Sequence, residues 1–256
     1  MGTQQSCGAC RNGEGFQQAI TMAFQPIVDV STRTVFAHEA LVRGVDGTSA
    51  QDVLAAVGPE NQYAFDQSCR VRALECAVES RLPALVSINF LPNAVYNPEH
   101  CLRATLTAAE RVGWPLSKII FEVTEHEEIA DHQHLLGILR TYRARGFQTA
   151  IDDFGAGYAG LNLLADFQPD LLKLDIGLVR DIDRDRVRQR IVSHMVGLCA
   201  ALGVRVIGEG VETPGEHSAL FDTGVFLQQG YLFARPSTGP VREPTFPAGS
   251  NSVPPP

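Results

Sequence analysis

Residues 147–158 read FQTAIDDFGAGY. A short apolar and β-branched run ends in two adjacent aspartates and a glycine-rich turn, the pattern of a buried strand delivering acidic side chains to a loop. Seven more runs flank it: AFQPIVDV (23–30), VFAHEALVR (35–43), ALVSINF (84–90) and KIIFEV (118–123) before, LLKLD (171–175), VRVIGE (204–209) and VFLQQ (225–229) after. Stretches of helical period separate them. In 62–80, Phe65, Cys69, Ala73 and Ala77 share one face; in 184–202, Val187, Ile191, Met195 and Leu198 do so. Eight strands alternating with helices predict a TIM-like (β/α)8 barrel, for which about 250 residues is the usual size. Polar residues 1–18 and proline-rich residues 237–256 read as tails, leaving 19–236 for the barrel.

The 256 residues are 45% hydrophobic and 20% charged, an ordinary globular composition. No uninterrupted apolar run is long enough to cross a membrane and the N-terminus has no secretory pattern, so a cytoplasmic protein without membrane attachment is expected. A net charge of −8 argues against a DNA or RNA polymer as partner, because phosphate neutralisation needs a basic face. Of the six cysteines, Cys7 and Cys10 form half of a zinc motif, while Cys69, Cys76, Cys101 and Cys199 sit among apolar neighbours as core residues. The opening MGTQQS also fits the loose myristoylation pattern.

Each apolar run after the first ends in a residue able to hold a cation or move a proton: Glu39, Asn89, Glu122, Asp152 with Asp153, Lys173 with Asp175, Glu209 and Gln229. Strands also end in polar residues simply because they meet solvent, but seven such endings in a row point to one acidic bowl on the rim where βα loops build active sites. Five clustered carboxylates repel one another and resist desolvation, and hard divalent cations relieve both effects. Oxygen ligands without His or Cys favour Mg²⁺ or Mn²⁺ over zinc. The Asp152–Asp153 pair suits two ions, one carboxylate bridging both, as in phosphodiester hydrolysis.

The ordered motifs FQPIVD (24–29), HEALVRG (38–44), FEVTE (121–125), DDFGAGY (152–158), LKLD (172–175), GEGVET (208–213) and QGYLFARP (229–236) resemble the EAL-domain family of bacterial cyclic di-GMP phosphodiesterases. The resemblance implies hydrolysis of cyclic di-GMP to linear pGpG on a barrel whose first strand is antiparallel. It implies that Glu39, Asn89, Glu122 and Asp152 hold one metal and Asp152, Asp153 and Glu209 a second, with a shared water as nucleophile and Ca²⁺ inhibitory. Catalytic roles fall on Lys173, Glu39 and Glu209, Lys173 orienting the water. Gln25, Arg43 and Gln229 are the implied substrate contacts, Arg43 on a phosphate, and Glu212 and Asp175 support the site from behind or at its mouth. The stretch 153–162 resembles a loop that couples the metals to a homodimer interface, with Gly155 and Gly157 giving it freedom and Glu125 tethering it. Ala159, Gly160 and His126 replace serines common in the family.

Two other classes are open. A member lacking turnover would be a cyclic di-GMP receptor, which a complete ligand set disfavours. An enolase-type lyase also pairs carboxylate-held Mg²⁺ with a strand-end lysine, but does not call for adjacent aspartates. His132 and His134 are two apart on a helical stretch and read as solvent-facing, not as a metal pair.

Overall fold

A computed structural model describes residues 16–124, 131–157 and 160–247. Glu125, His126, Ala159, Cys7 and Cys10 lie outside the described residues, so the expectations placed on them are not addressed by the fold. All eight predicted strands are present: β1 (Ile20–Asp29), β2 (Thr34–Gly44), β3 (Leu85–Asn89), β4 (Ile119–Thr124), β5 (Gln148–Phe154), β6 (Leu171–Leu174), β7 (Arg205–Gly208) and β8 (Leu227–Gln228). They close in sequence order into a barrel in which β1 runs antiparallel to both β2 and β8, and the remaining pairs are parallel. The helices are α1 (Ala50–Ala55), α2 (Gln62–Glu79), α3 (Pro98–Val112), α4 (His132–Ala144), α5 (Gly160–Asp166), α6 (Ile176–Val179), α7 (Arg186–Ala201) and α8 (Pro214–Asp222). Among the described residues none of them is long and apolar enough to cross a membrane.

The barrel interior explains where the polar strand ends go. Ile27, Ala37, Ile120, Ala150, Leu171, Ile207 and Leu227 form a buried apolar cluster inside the ring, with Leu85 packed against it. Side chains on one face of a strand recur every second residue. Two positions beyond these apolar residues stand Glu39, Ser87, Glu122, Asp152, Lys173, Glu209 and Gln229. On the reversed strand β1 the equivalent step runs backwards, from Ile27 to Gln25. An apolar floor thus supports a polar layer on the same inward face, and the strand period alone aims that layer at one mouth.

Outside the ring, a buried ion pair ties the helix layer to the site. Arg70 on α2 meets Asp66 at 2.7 Å and donates to the Tyr142 hydroxyl at 2.7 Å, with its guanidinium 5.2 Å from the Phe121 ring centre. Asp66 also accepts the Leu91 backbone N–H at 3.0 Å, fixing the chain just past Asn89. Both side chains are inaccessible. Asp66→Ala is therefore expected to lower stability by about 3–5 kcal/mol, because it strands a buried charge; chemical denaturation checks this, and a loss below about 1 kcal/mol would contradict the coupling.

Two expectations meet a different outcome. The apolar face foreseen for 184–202 packs inward only at Met195: α7 is anchored by Val192 and Cys199, with Met195 and Val196 partly buried against the core, while Val187, Ile191 and Leu198 are 66%, 45% and 40% exposed. The turn angle of the helix puts those three on a stripe different from the anchoring pair. Likewise, residues 237–247 lie against the barrel instead of trailing from it. Ser237 pairs with Phe24 on β1, the Thr245 backbone N–H donates to the Phe233 carbonyl, and Phe246 meets Phe233 edge to face with centroids 6.2 Å apart. Proline enrichment deprives a segment of ladder donors but not of edge pairing or aromatic burial. Cys69, Cys76, Cys101 and Cys199 are free thiols, three of them buried, as expected.

Candidate active site

Lys173 is the centre of the polar layer. It is fully buried, and its ammonium lies 2.8 Å from Glu209, 3.0 Å from Glu122, 3.1 Å from Asp152 and 3.4 Å from Glu39. Burial alone would push this lysine down, but the charges of Asp152, Glu122, Glu209 and Glu39 together hold it well above its usual range. It is therefore a fixed cation and a proton donor in hydrogen bonds.

One ammonium does not neutralise four acids. Burial pushes the Glu122 carboxyl up to about 8, against the pull of Lys173 and with further upward pressure from Glu39 and Asp152. Glu209 is raised for the same reasons, burial first and Asp152 next. The donor atoms fall into two groups, Glu39 with Glu122 and Asp152, and Asp152 with Asp153 and Glu209, each group within 4.8 Å. Asp152 belongs to both. A set of oxygen donors carrying this excess of negative charge fits divalent cations, whose charge would return Glu122 and Glu209 to the ionised form.

Asp153 reaches this cluster by breaking the strand rule. Its neighbour Asp152 faces inward, so a regular strand would turn Asp153 outward. Instead the β5–β6 pairing shifts between Ile151 and Phe154, and Asp153 takes φ 55°, a left-handed conformation uncommon for a residue with a side chain. Its backbone N–H donates to the Asp152 carboxylate at 2.9 Å. Gly155 follows at φ +100°, where a Cβ would come within 2.7 Å of Leu178. Glycine is required there.

The amides complete the rim of this pocket. Asn89 donates to Glu39 at 3.0 Å, leaving its own carbonyl oxygen for another partner, and Gln229 donates to Glu39 at 2.7 Å and to Gln25 at 3.3 Å. Above them a cavity of about 270 Å³ is lined by Gln25, Glu39, Asp153, Asp175, Glu209, Glu212, Gln229 and Tyr231 among others. Three expected residues stand apart from the acidic cluster. Arg43 donates to the Val42 carbonyl at 2.6 Å; Glu212 is paired with Arg180 at 2.7 Å; Asp175 caps α6 through the Gly177 N–H at 2.7 Å. Gly157 is the last described residue before 158–159. His132 and His134 have separate partners, Asp166 and the Val95 carbonyl, so they do not converge.

Two residues not singled out from the sequence also shape the site. Ser87 donates its hydroxyl to Glu122, and its signal was its position two residues before Asn89 on the same strand face. Glu216, 1% exposed, accepts backbone N–H bonds from Glu212 at 2.9 Å, Thr213 at 3.0 Å and Asp181 at 3.1 Å. It thereby sets the loop that follows Glu209, and the TPGE capping box at 213–216 was its legible sign.

The raised carboxyls give a stability prediction. Glu122 has a folded-state pKa above its unfolded value of 4.5, so the stability it contributes is complete below that value and is lost as pH climbs towards about 8. Metal-free protein is expected to melt at falling temperature across that window, and Mn²⁺-saturated protein to lose that slope because the ions keep these groups ionised. Thermal melts at several pH values, with chelator and with Mn²⁺, check this; parallel curves would contradict it.

Comparison with known proteins adds an independent line. The EAL domain family model matches residues 14–236. The blue light- and temperature-regulated antirepressor BluF of Escherichia coli K12 is 34% identical over 218 residues, covering 83% of this chain and 53% of BluF. The probable cyclic di-GMP phosphodiesterase PdeG of the same organism is 30% identical over 247 residues, covering 90% of this chain and 46% of PdeG. The chain thus spans about half the length of these curated relatives. Among solved structures, a standalone versatile EAL protein from Vibrio cholerae O395 in its c-di-GMP-bound form is 47% identical with a TM-score of 0.87, covering 90% of this chain and 98% of the other. The Klebsiella pneumoniae BlrP1 manganese/cy-diGMP complex is 37% identical with a TM-score of 0.81, covering 87% of this chain and 58% of that one.

Proposed function

The chain belongs to the EAL domain family, and from that premise we propose that it hydrolyses cyclic di-GMP to linear pGpG with two divalent cations, Mg²⁺ or Mn²⁺. The observation that carries this reading is the pair of carboxylate groups sharing Asp152. Glu39, Glu122 and Asp152, with the free Asn89 carbonyl, would hold one ion; Asp152, Asp153 and Glu209 would hold the other. When bound, the ions supply positive charge to a phosphodiester and acidify a water molecule.

The chain's own groups then divide the work. Lys173, surrounded by the carboxylates that would hold the cations, would donate to the attacking oxygen and orient it. Water oxygen adds to one phosphorus, the P–O3′ bond breaks, and the 3′ oxygen leaves with a proton, giving the 5′-phosphate of pGpG. Gln25 and Gln229 face the cavity as substrate contacts. Arg43, on release from the Val42 carbonyl, would hold a phosphate, while Glu212 and Asp175 shape the mouth. A homodimer is part of this proposal, and the exposed apolar stripe of α7, Val187, Ile191 and Leu198, is the surface we assign to the partner copy.

BluF, named as an antirepressor, motivates a second reading: a cyclic di-GMP receptor without turnover. The full set of acids around Lys173 favours the enzyme. Calorimetric titration is expected to find two Mn²⁺ per chain, with hydrolysis in Mn²⁺ and ligand binding without turnover in Ca²⁺, whose longer bonds and looser geometry misplace the reacting groups. Equal rates in Ca²⁺ would contradict the proposed geometry.

A further inference from the structure

The outer faces of β2 and β3 and the helices over them, α1 and α2, do not close on one another. Between them lies a cavity of about 260 Å³. Its origin is in the sequence: β2, α1 and α2 line it with Ala40, Ala50, Cys69 and Ala73, side chains too small to meet across a helix–sheet contact. The larger walls are braced from behind. Phe65 rests on Phe16 with ring centres 5.0 Å apart, and Phe90 on Phe121 and Tyr142 at 6.0 and 5.3 Å. An apolar void that cannot collapse is destabilising and dry, so a molecule that fills it gains contacts the empty wall lacks.

The polar groups on the wall are spent or neutral. Asp66 is committed to Arg70 at 2.7 Å and to the Leu91 N–H at 3.0 Å, and the Asn89 amide nitrogen donates to Glu39. Burial, and after it the charge of Asp66, push the Cys69 thiol up, so it stays neutral. Among the described residues the wall offers no cation to a phosphate. Leu54 on α1 lines the cavity and is 49% exposed, which marks the entry. One wall is shared with the candidate active site. Leu41 lines both this cavity and the one above the carboxylates, and Asn89 lines this one while bonding Glu39 in the other.

We propose that this cavity is a second ligand site, for a small uncharged apolar molecule the size of one aromatic ring with a short side chain, and that its occupant acts on the ion-holding groups through Leu41 and Asn89. A cavity of roughly 150 Å³ lined by Leu, Ile and Phe takes up benzene. This one is larger, and Phe65 and Phe90 give it flat walls. The site does not depend on the phosphodiesterase reading; its effect on the ions rests on that reading.

Toluene is the probe. Metal-free wild type should melt about 3–6 °C higher at ten times the calorimetric dissociation constant of toluene. Ala73→Leu and Cys69→Leu fill the space from α2 and should lose both the binding and the shift. A further arm needs no variant: in wild type, at that same concentration, toluene should slow alkylation of Cys69 by iodoacetamide at least about fivefold, read on the Cys69 peptide by mass spectrometry. Saturating toluene should also lower the Mn²⁺ dissociation constant at least about threefold, because a filled cavity fixes the strand end that carries Asn89. No toluene binding by wild type, an unprotected Cys69, or binding retained in both filled variants overturns the site. An unchanged Mn²⁺ constant with toluene bound overturns the coupling. Failure of wild type to bind Mn²⁺ at all overturns the two-cation reading, and the coupling with it.

Discussion

Glu39→Gln and Asp153→Asn are each expected to reduce turnover below about a hundredth of wild type, because a neutral amide is a poor ligand for a hard dication and losing cation-activated water costs several kcal/mol of transition-state stabilisation. The two substitutions attack different carboxylate groups, so the losses report on both ion positions. The structure separates this effect from unfolding. Glu39 helps raise Glu122, so replacing it relieves repulsion among buried acids, while its ion pair is the longest of the four that Lys173 makes. Metal-free Glu39→Gln should melt no lower than metal-free wild type, while gaining less from added Mn²⁺. Retention of more than a tenth of wild-type kcat in both variants, measured under saturating Mn²⁺, would contradict catalysis by the paired cations.

Lys173→Arg is the second large effect. The chain carries two lysines, Lys118 and Lys173, so nineteen of its 21 basic residues are arginine. A lysine here meets a demand that arginine does not. The ammonium sits in a sealed space with four carboxylates within 3.4 Å. A planar guanidinium is wider and has fixed donor directions, so it would displace the ion-holding oxygens or fail to point at the water. A drop in kcat of at least about a hundredfold is expected, with KM and nucleotide affinity little changed, the pattern of an interaction made mainly in the transition state. The opposing possibility is a charge partner only, which the four contacts make concrete. In that case Lys173→Arg would keep nearly full activity, and the assignment of Lys173 to the water would be wrong.

The barrel was legible because eight short runs alternate with helical stretches, and the site because each run after the first ends in a polar residue. The structure adds a two-residue step, from Ala37 to Glu39 and from Leu171 to Lys173, that the strand period imposes and that brings Ser87 into the same layer. Other features could not be read from pattern. Adjacent aspartates in a strand face opposite ways, and only the register shift at Ile151–Phe154 with φ 55° at Asp153 reconciles both with one cluster. The direction of the apolar stripe on 186–201 depends on which side of the helix meets the barrel, a tertiary choice, so Val187 and Ile191 emerged at the surface. The packing of 237–247 on β1 depends on one edge pairing and one aromatic contact, Phe246 on Phe233, that proline content hides. Arg43 illustrates a further limit: its motif position implies a phosphate contact, whereas its guanidinium donates to the Val42 carbonyl.

Chromatography of the products formed from cyclic di-GMP and Mn²⁺ bears most directly on the two-cation hydrolysis. Stoichiometric conversion to pGpG, abolished by chelator and by Glu39→Gln, is the predicted result. Tight binding of cyclic di-GMP with the nucleotide recovered intact in saturating Mn²⁺ would contradict it and leave the chain a receptor.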